Sequence, residues 1–479
     1  MPLSAEIQYN LTDLGEGVAC SINNAGQVVG YSGTFPSNIR PTLFDSSGSG
    51  YDVELGDEGI AYSISQTGQI VGTSGARAIL FDPTGNGENT DLGTGIAYSI
   101  NNSGQIVGTS SPLFGRATLF DPTGGGENID LGTLGGPDSG AYSINDGGQI
   151  VGWSRPGYGW IHATLFDPTG GGQNTNLDEL GSGALSINNS SQIVGNTWFA
   201  SDDSHATLFD PTGGGENLDL GTLDGLESYA YSINNNVQIV GYASYMLLSD
   251  SVSVTYDTTI YSSPVLFKPD YNSRSCFSHM YLKADTIIID PNIPQPSLDI
   301  VYRAIFFNHT GNGDNIALDD LIDPNLGWTL NTALCINDNG CIVGFGTNPA
   351  AEEHAYLLTP IREPLIEAEI EINPKTLNLQ SNGRWITCYI WLPEEYDVAD
   401  VNSYSIFLED ELEAEWVWFN EQQQIVMAKF NRSAVQGLLI PGEVELTVTG
   451  ELADGTKFTG TDKIRVISRG RTAMQKAKP

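Results

Sequence analysis

Residues 97–110 read AYSINNSGQIVGTS. Tyr98 and Ile100 alternate with Ala97 and Ser99 at period two, and Gln105-Ile106-Val107 resumes the alternation beyond a polar Asn-Asn-Ser-Gly break. That is the pattern of two short strands joined by a tight turn. Asn bonds its own backbone and tolerates left-handed conformations, and Gly supplies positive φ, so the break reverses the chain with little strain. Related words start at Ala19, Ala61, Ala141, Ala184, Ala230 and Ala333, giving seven copies in all.

Outward from each word, a third strand recurs as ATLFD at Ala117, Ala163 and Ala206, as AILFD at Ala78 and as PTLFD at Pro41. A turn of the type PTGGGEN follows, then a short fourth strand such as IDLG. Each unit is therefore a four-stranded meander. The repeated Ile stands at 22, 64, 100, 144, 187, 233 and 336, mostly at the spacing of a propeller blade. A lone unit cannot bury both faces of its sheet, whereas stacked neighbours can. Leu11–Gly15 reads as a fourth strand with no preceding three, and the last unit stops after His354–Pro360. The expectation is an all-β chain with a seven-bladed β-propeller over residues 6–361, closed by the N-terminal strand. An insertion at about 243–302 leaves eight blades as the alternative.

Several words carry a resemblance. INDNGCIVGFG (336–346), EEHAYLLTP (352–360), LGTLGG at Leu131 and the His-Ala pairs at His162, His205 and His354 resemble the HAF-repeat family of putative extracellular proteins. The resemblance implies a secreted or surface-exposed repeat protein with no assigned reaction and no catalytic residues to transfer. Arg40, Arg77, Arg116 and Arg303 stand where that family has His. A position filled by either cation once per unit reads as a structural hydrogen-bond donor.

After Pro360 acidic and aromatic strands take over, seven of them alternating over residues 362–470, which suits an Ig-like β-sandwich. The stretch resembles Ig-like modules of surface proteins. Residues 471–479 read as a flexible basic tail.

Composition narrows the function classes. Twenty Lys plus Arg stand against 58 Asp plus Glu, a formal net charge of -38, which repels phosphate backbones and anionic lipid. No nucleic-acid partner and no membrane insertion are expected; no apolar run is long enough to span a bilayer, and no secretory leader is visible. Five cysteines lack metal-ligand spacing. The turns of the DPTGGGEN type bring Asp and Glu near Gly carbonyls, so calcium is the one cofactor they suggest, although turn chemistry accounts for the same residues.

In a meander the uniform turns fall at one end and the variable loops at the other, where specificity usually resides. Two variable loops are aromatic. One offers Trp153, Arg155, Tyr158 and Trp160; the other offers Trp198, Asp202 and Asp203. Flat rings beside carboxylates and a guanidinium suit stacking on a sugar. No GxSxG, HExxH or phosphate-loop motif is present. The expected function is a non-enzymatic extracellular or cell-surface binding, adhesion or structural scaffold with a glycan or surface-protein partner. The alternatives are a glycan-active hydrolase or lyase and a calcium-stiffened, self-assembling layer or filament.

Overall fold

The computed structural model describes residues 8–34, 38–111, 115–157, 159–198, 204–223, 225, 227–248, 298–361 and 365–468. The chain divides into two compact units, Met1–Ile361 and Arg362–Pro479. It is all-β, 52% strand and 4% helix. Among the described residues, no helix is long and apolar enough to cross a membrane.

The quoted stretch forms two antiparallel strands, Ile96–Ile100 and Ile106–Thr109, followed by Ala117–Phe120 and Ile129–Asp130 in one four-stranded sheet. Two local features recur from unit to unit. The first strand carries a bulge at the Ala-x-Ser step, where the register jumps between Val107 and Gly108, so Tyr98 is left without a ladder partner. Opposite the bulge, the Gly of the Ile-Val-Gly word lies against the first strand: a Cβ on Gly108 would stand 1.9 Å from the Ile96 carbonyl oxygen. Only Gly allows that approach.

The core lies between successive sheets. Val71, Ala78 and Leu92 of one sheet pack with Ala97, Ile100, Ile106 and Phe120 of the next, all nearly inaccessible. Each further pair repeats the arrangement with its own Ile, Val, Ala and Phe. Both faces of a sheet are thereby buried, which explains why the Ile-Val pair is apolar on consecutive residues instead of alternating.

The predicted closed seven-bladed propeller, and its eight-bladed alternative, must be corrected. The described residues form eight separate sheets of four to seven strands, and among them no closed barrel or propeller is shown. The physical reason lies in the long first strand. Tyr9–Ile22 pairs with Glu353–Pro360 through its first half and with Val28–Ser32 through its second. First and last repeats therefore merge into one seven-stranded sheet, while backbone ladders stop at the edge of every other sheet. The pairing of residues 9–16 with 354–360 is present, from Tyr9 opposite Pro360 to Glu16 opposite His354.

Where an insertion was expected at about 243–302, Ile239–Leu248 pairs with Leu298–Phe307 along its whole length. The strand candidate at Ser263 lies outside the described residues.

The Ig-like, seven-stranded sandwich also needs correcting. Among its described residues the second unit has ten strands in two sheets over one core that includes Ile372, Cys388, Phe430, Val448 and Phe458. The first expected strand breaks at Ala368, placing Ile366–Glu367 in one sheet and Glu369–Asn373 in the other. Ile366–Glu367 and Thr376–Asn378 run parallel to Lys457–Ile467, so the unit is a mixed β structure.

Candidate functional site

The seven turn words meet around a cavity of about 160 Å³. Its lining repeats: an Ile, such as Ile100, below a polar pair, such as Asn101 and Asn102. The outer members of the pairs form a hydrogen-bond circuit. Asn24 N–H donates to Gln66 Oε1 (2.7 Å), Gln66 N–H to Asn102 Oδ1 (2.8 Å) and Asn102 N–H to Asp146 Oδ1 (3.0 Å). Asp146, Asn189 and Asn235 continue it, each N–H donating over 2.9 Å, and Asp338 N–H returns to Asn24 Oδ1 (2.9 Å).

Beneath it, side-chain amides of Asn101, Asn145, Asn188, Asn234 and Asn337 each donate to the carbonyl of the next word's equivalent residue, ending on Asn23. A third layer uses hydroxyls. Ile144 N–H donates to Ser99 Oγ (3.3 Å), and Cys335 supplies sulfur to Ile22 N–H where the other repeats use Ser. Burial pushes the Cys335 thiol up.

Asp146 and Asp338 are the carboxylates of this lining. Asp338 Oδ2 accepts from the amides of Asn24 and Asn235, both at 3.0 Å. Burial pushes its pKa upward, but the Asn24 and Asn235 donors outweigh that and hold it below the usual carboxylate range. An ionised, fully engaged carboxylate is a poor general acid. The polar groups that line the cavity join one repeat to the next.

The repeated cations are likewise engaged. Arg77 forms a bidentate pair with Asp91, Arg40 meets Glu54 and Arg116 meets Asp130. His205 and His354 place Nδ1 2.8 Å from Asp219 and Asp13. Each of these side chains ties its third strand to a neighbouring acidic strand or helix start, including Arg303 with Asp319 at 3.6 Å. The turn aspartates collect local donors. Asp121 accepts from Thr123 Oγ1 and Gly126 N–H, and Asp210 from Thr212 Oγ1 and Gly215 N–H. Among the described residues, no group of three or more His, Cys, Asp or Glu side chains is placed to hold a metal ion.

The aromatic loops come together only in part. Trp160 is 56% exposed. It and Trp198 both border Gly181: a Cβ there would stand 3.1 Å from Trp198 Cε3 and 3.5 Å from Trp160 Cβ. The backbone N–H of Trp198 donates to the Gly181 carbonyl at 2.7 Å and holds Trp198 beside Gly181. Leu180, 49% exposed, adjoins Gly181.

Trp153 instead packs its indole against Gly140. Arg155 is committed to a largely buried ion pair with Asp138 at 2.8 Å and to the Gly159 carbonyl. It fixes the loop that carries Trp160. Tyr158, Asp202 and Asp203 lie outside the described residues.

Reasoning from variable loops pointed away from the uniform turns and so missed the cavity. Its signal was readable: the residue after the repeated Asn or Ser is always Asn, Gln or Asp. A scan against protein-family models and a search of curated proteins gave no match to this chain.

Proposed function

We propose that the protein is a non-enzymatic binding scaffold of the cell surface or extracellular space, akin to the HAF-repeat proteins its words resemble, and that it binds glycan through Trp160 and Trp198. The observation that carries this reading is that Trp160 and Trp198 both border side-chain-free Gly181, with Trp160 more than half exposed. Large exposed rings on a rigid frame mark interaction sites, and indole faces attract the C–H groups of a pyranose. The polar residues that repeat are engaged with one another, which leaves recognition to the residues that do not repeat.

The test is affinity electrophoresis of the full chain through gels containing neutral polysaccharides. Retardation should weaken roughly tenfold in Trp160→Ala plus Trp198→Ala, the scale of two lost aromatic contacts. Undiminished retardation of the double variant would remove the proposal.

A further inference from the structure

We infer that the second unit carries a glycan-binding face of its own, independent of the Trp160–Trp198 pair. The four-stranded sheet of this unit runs Glu369–Asn373, Trp385–Trp391, Ile425–Asn431, Trp416–Asn420. Ile372, Cys388, Ile390, Val426 and Ala428 point from one side into the core. Alternation sends Trp385, Tyr389, Trp391, Trp416 and Trp418 to the other side. Four of the chain's eight tryptophans therefore share one surface.

Register sets them in rows. Trp418 lies opposite Met427, Tyr389 and Glu371 in turn, and Trp416 opposite Lys429, Thr387 and Asn373. Successive rows are ~6.6 Å apart and neighbouring strands ~4.8 Å. Trp416 and Trp418 are 43% and 44% exposed. Lys429 Nζ stands 4.5 Å from the Trp416 ring centroid and the Arg384 guanidinium 4.6 Å from that of Trp385.

Strand propensity does not account for this surface. The solvent side of the other sheet, on Gly442–Glu451 and Lys457–Ile467, alternates Glu, Thr, Lys and Arg with no aromatic ring. Both outer faces belong to the same unit, yet the rings gather on one: among the described strands the other carries the single ring of Phe407, opposite Thr449.

At the Trp416 end the face opens into a recess of about 420 Å³ lined by Tyr404, Trp416, Glu413, Glu415 and Ser403. That volume suits a small ligand. Tyr404 is 80% exposed. Two rings offer stacking, and two carboxylates offer acceptors to hydroxyl groups.

Charge selects the occupant. Carboxylates in the recess and a net charge of -38 oppose a second copy of the chain, nucleic acid and anionic polysaccharide. An uncharged, hydroxyl-rich chain meets no such opposition, and Thr387, Asn373 and Asn420 along the rows give it further hydrogen bonds. The ligand class is a neutral polysaccharide laid along the rings with one sugar seated between Tyr404 and Trp416.

The experiment uses the full chain in affinity gels containing β-1,4-glucan, β-1,3-glucan, mannan or soluble chitin, with a labelled oligolysine peptide as a separate probe. Trp416→Ala plus Trp418→Ala should weaken retardation by at least one neutral polysaccharide about tenfold, insensitive to 0.5 M salt, with an unchanged melting curve. Trp416→Phe should keep most of the retardation, and Thr459→Ala on the opposite face all of it. The combination Trp160→Ala plus Trp198→Ala separates the two sites, because it leaves contacts with this face intact. Binding to oligolysine alone, lost in salt, would overturn the inference in favour of a basic peptide. Retardation unaffected by Trp416→Ala plus Trp418→Ala, or absent with every polysaccharide, would overturn it outright.

Discussion

At the scale of single residues, the turn words are specified by backbone conformation more than by side-chain contact. The fourth turn position needs positive φ, and five repeats put Gly there, as at Gly104 with φ 78. Two repeats do not: Ser191 and Val237 hold φ of 65 and 63. A β-branched side chain in the left-handed region costs about 1 to 2 kcal/mol. Val237→Gly should therefore stabilise the protein by about 1 kcal/mol after the entropy of the new Gly is counted. Denaturant unfolding monitored by tryptophan fluorescence checks it, and a lowered midpoint would show that packing of the Val237 side chain outweighs backbone strain.

At the scale of the element, the connection between third and fourth strands owes its form to its aspartate. Hydroxyl donation from Thr123 holds Asp121 below the usual carboxylate range, with Gly126 N–H next in effect, and Asp82 and Asp210 repeat the arrangement. In the related turn at Asp45, donors from Ser49 and Ser47 lower the value to about 2. A carboxylate whose folded pKa is depressed contributes stability above its unfolded value, near 3.9, and loses it as pH falls through the folded value. Melting temperature should thus change little from pH 7 to 5 and decline between about pH 4 and 2. Thr123→Val should move the Asp121 titration, followed by carbon-detected NMR, toward the ordinary value. An unmoved titration would refute the assignment.

At the scale of the whole molecule, two kinds of connection hold the repeats together. Among the described residues, strand pairing between repeats joins only the first to the last, through Tyr9–Ile22 and Glu353–Pro360. Other neighbours meet through buried Ile and Val, through the amide and hydroxyl circuits at the turns, and through single backbone hydrogen bonds such as Ser139 N–H to the Gly115 carbonyl at 3.1 Å. Removal of residues 1–16 should leave Glu353–Pro360 as an open edge, which is a template for pairing with other chains. The shortened protein should melt several degrees lower and sediment with concentration-dependent association. A monomer of unchanged melting temperature would show that side-chain circuits suffice.

Much of this was legible in the residues themselves. Hairpin, third strand and fourth strand follow from period-two alternation punctuated by Asn and Gly, because those signals are local. The structural use of the repeated Arg and His was readable for the same reason, since a residue type recurring once per unit answers a need recurring once per unit. The pairing of the two chain ends was readable from the incomplete units they leave.

Sequence by itself determined the all-β class, the repeat and the strands within it, since these depend on interactions spanning a few residues. Only the tertiary structure decided that the strand completing the last repeat runs on as the first strand of the first, making one seven-stranded sheet, and that the second unit mixes parallel with antiparallel pairing. It alone brought Trp160 and Trp198 to the same glycine, Gly181, and turned Arg155 inward to Asp138. The reason is physical: which sheet edge a strand joins, and which loop meets which, is set by packing between residues far apart in the chain, and no local pattern encodes that choice.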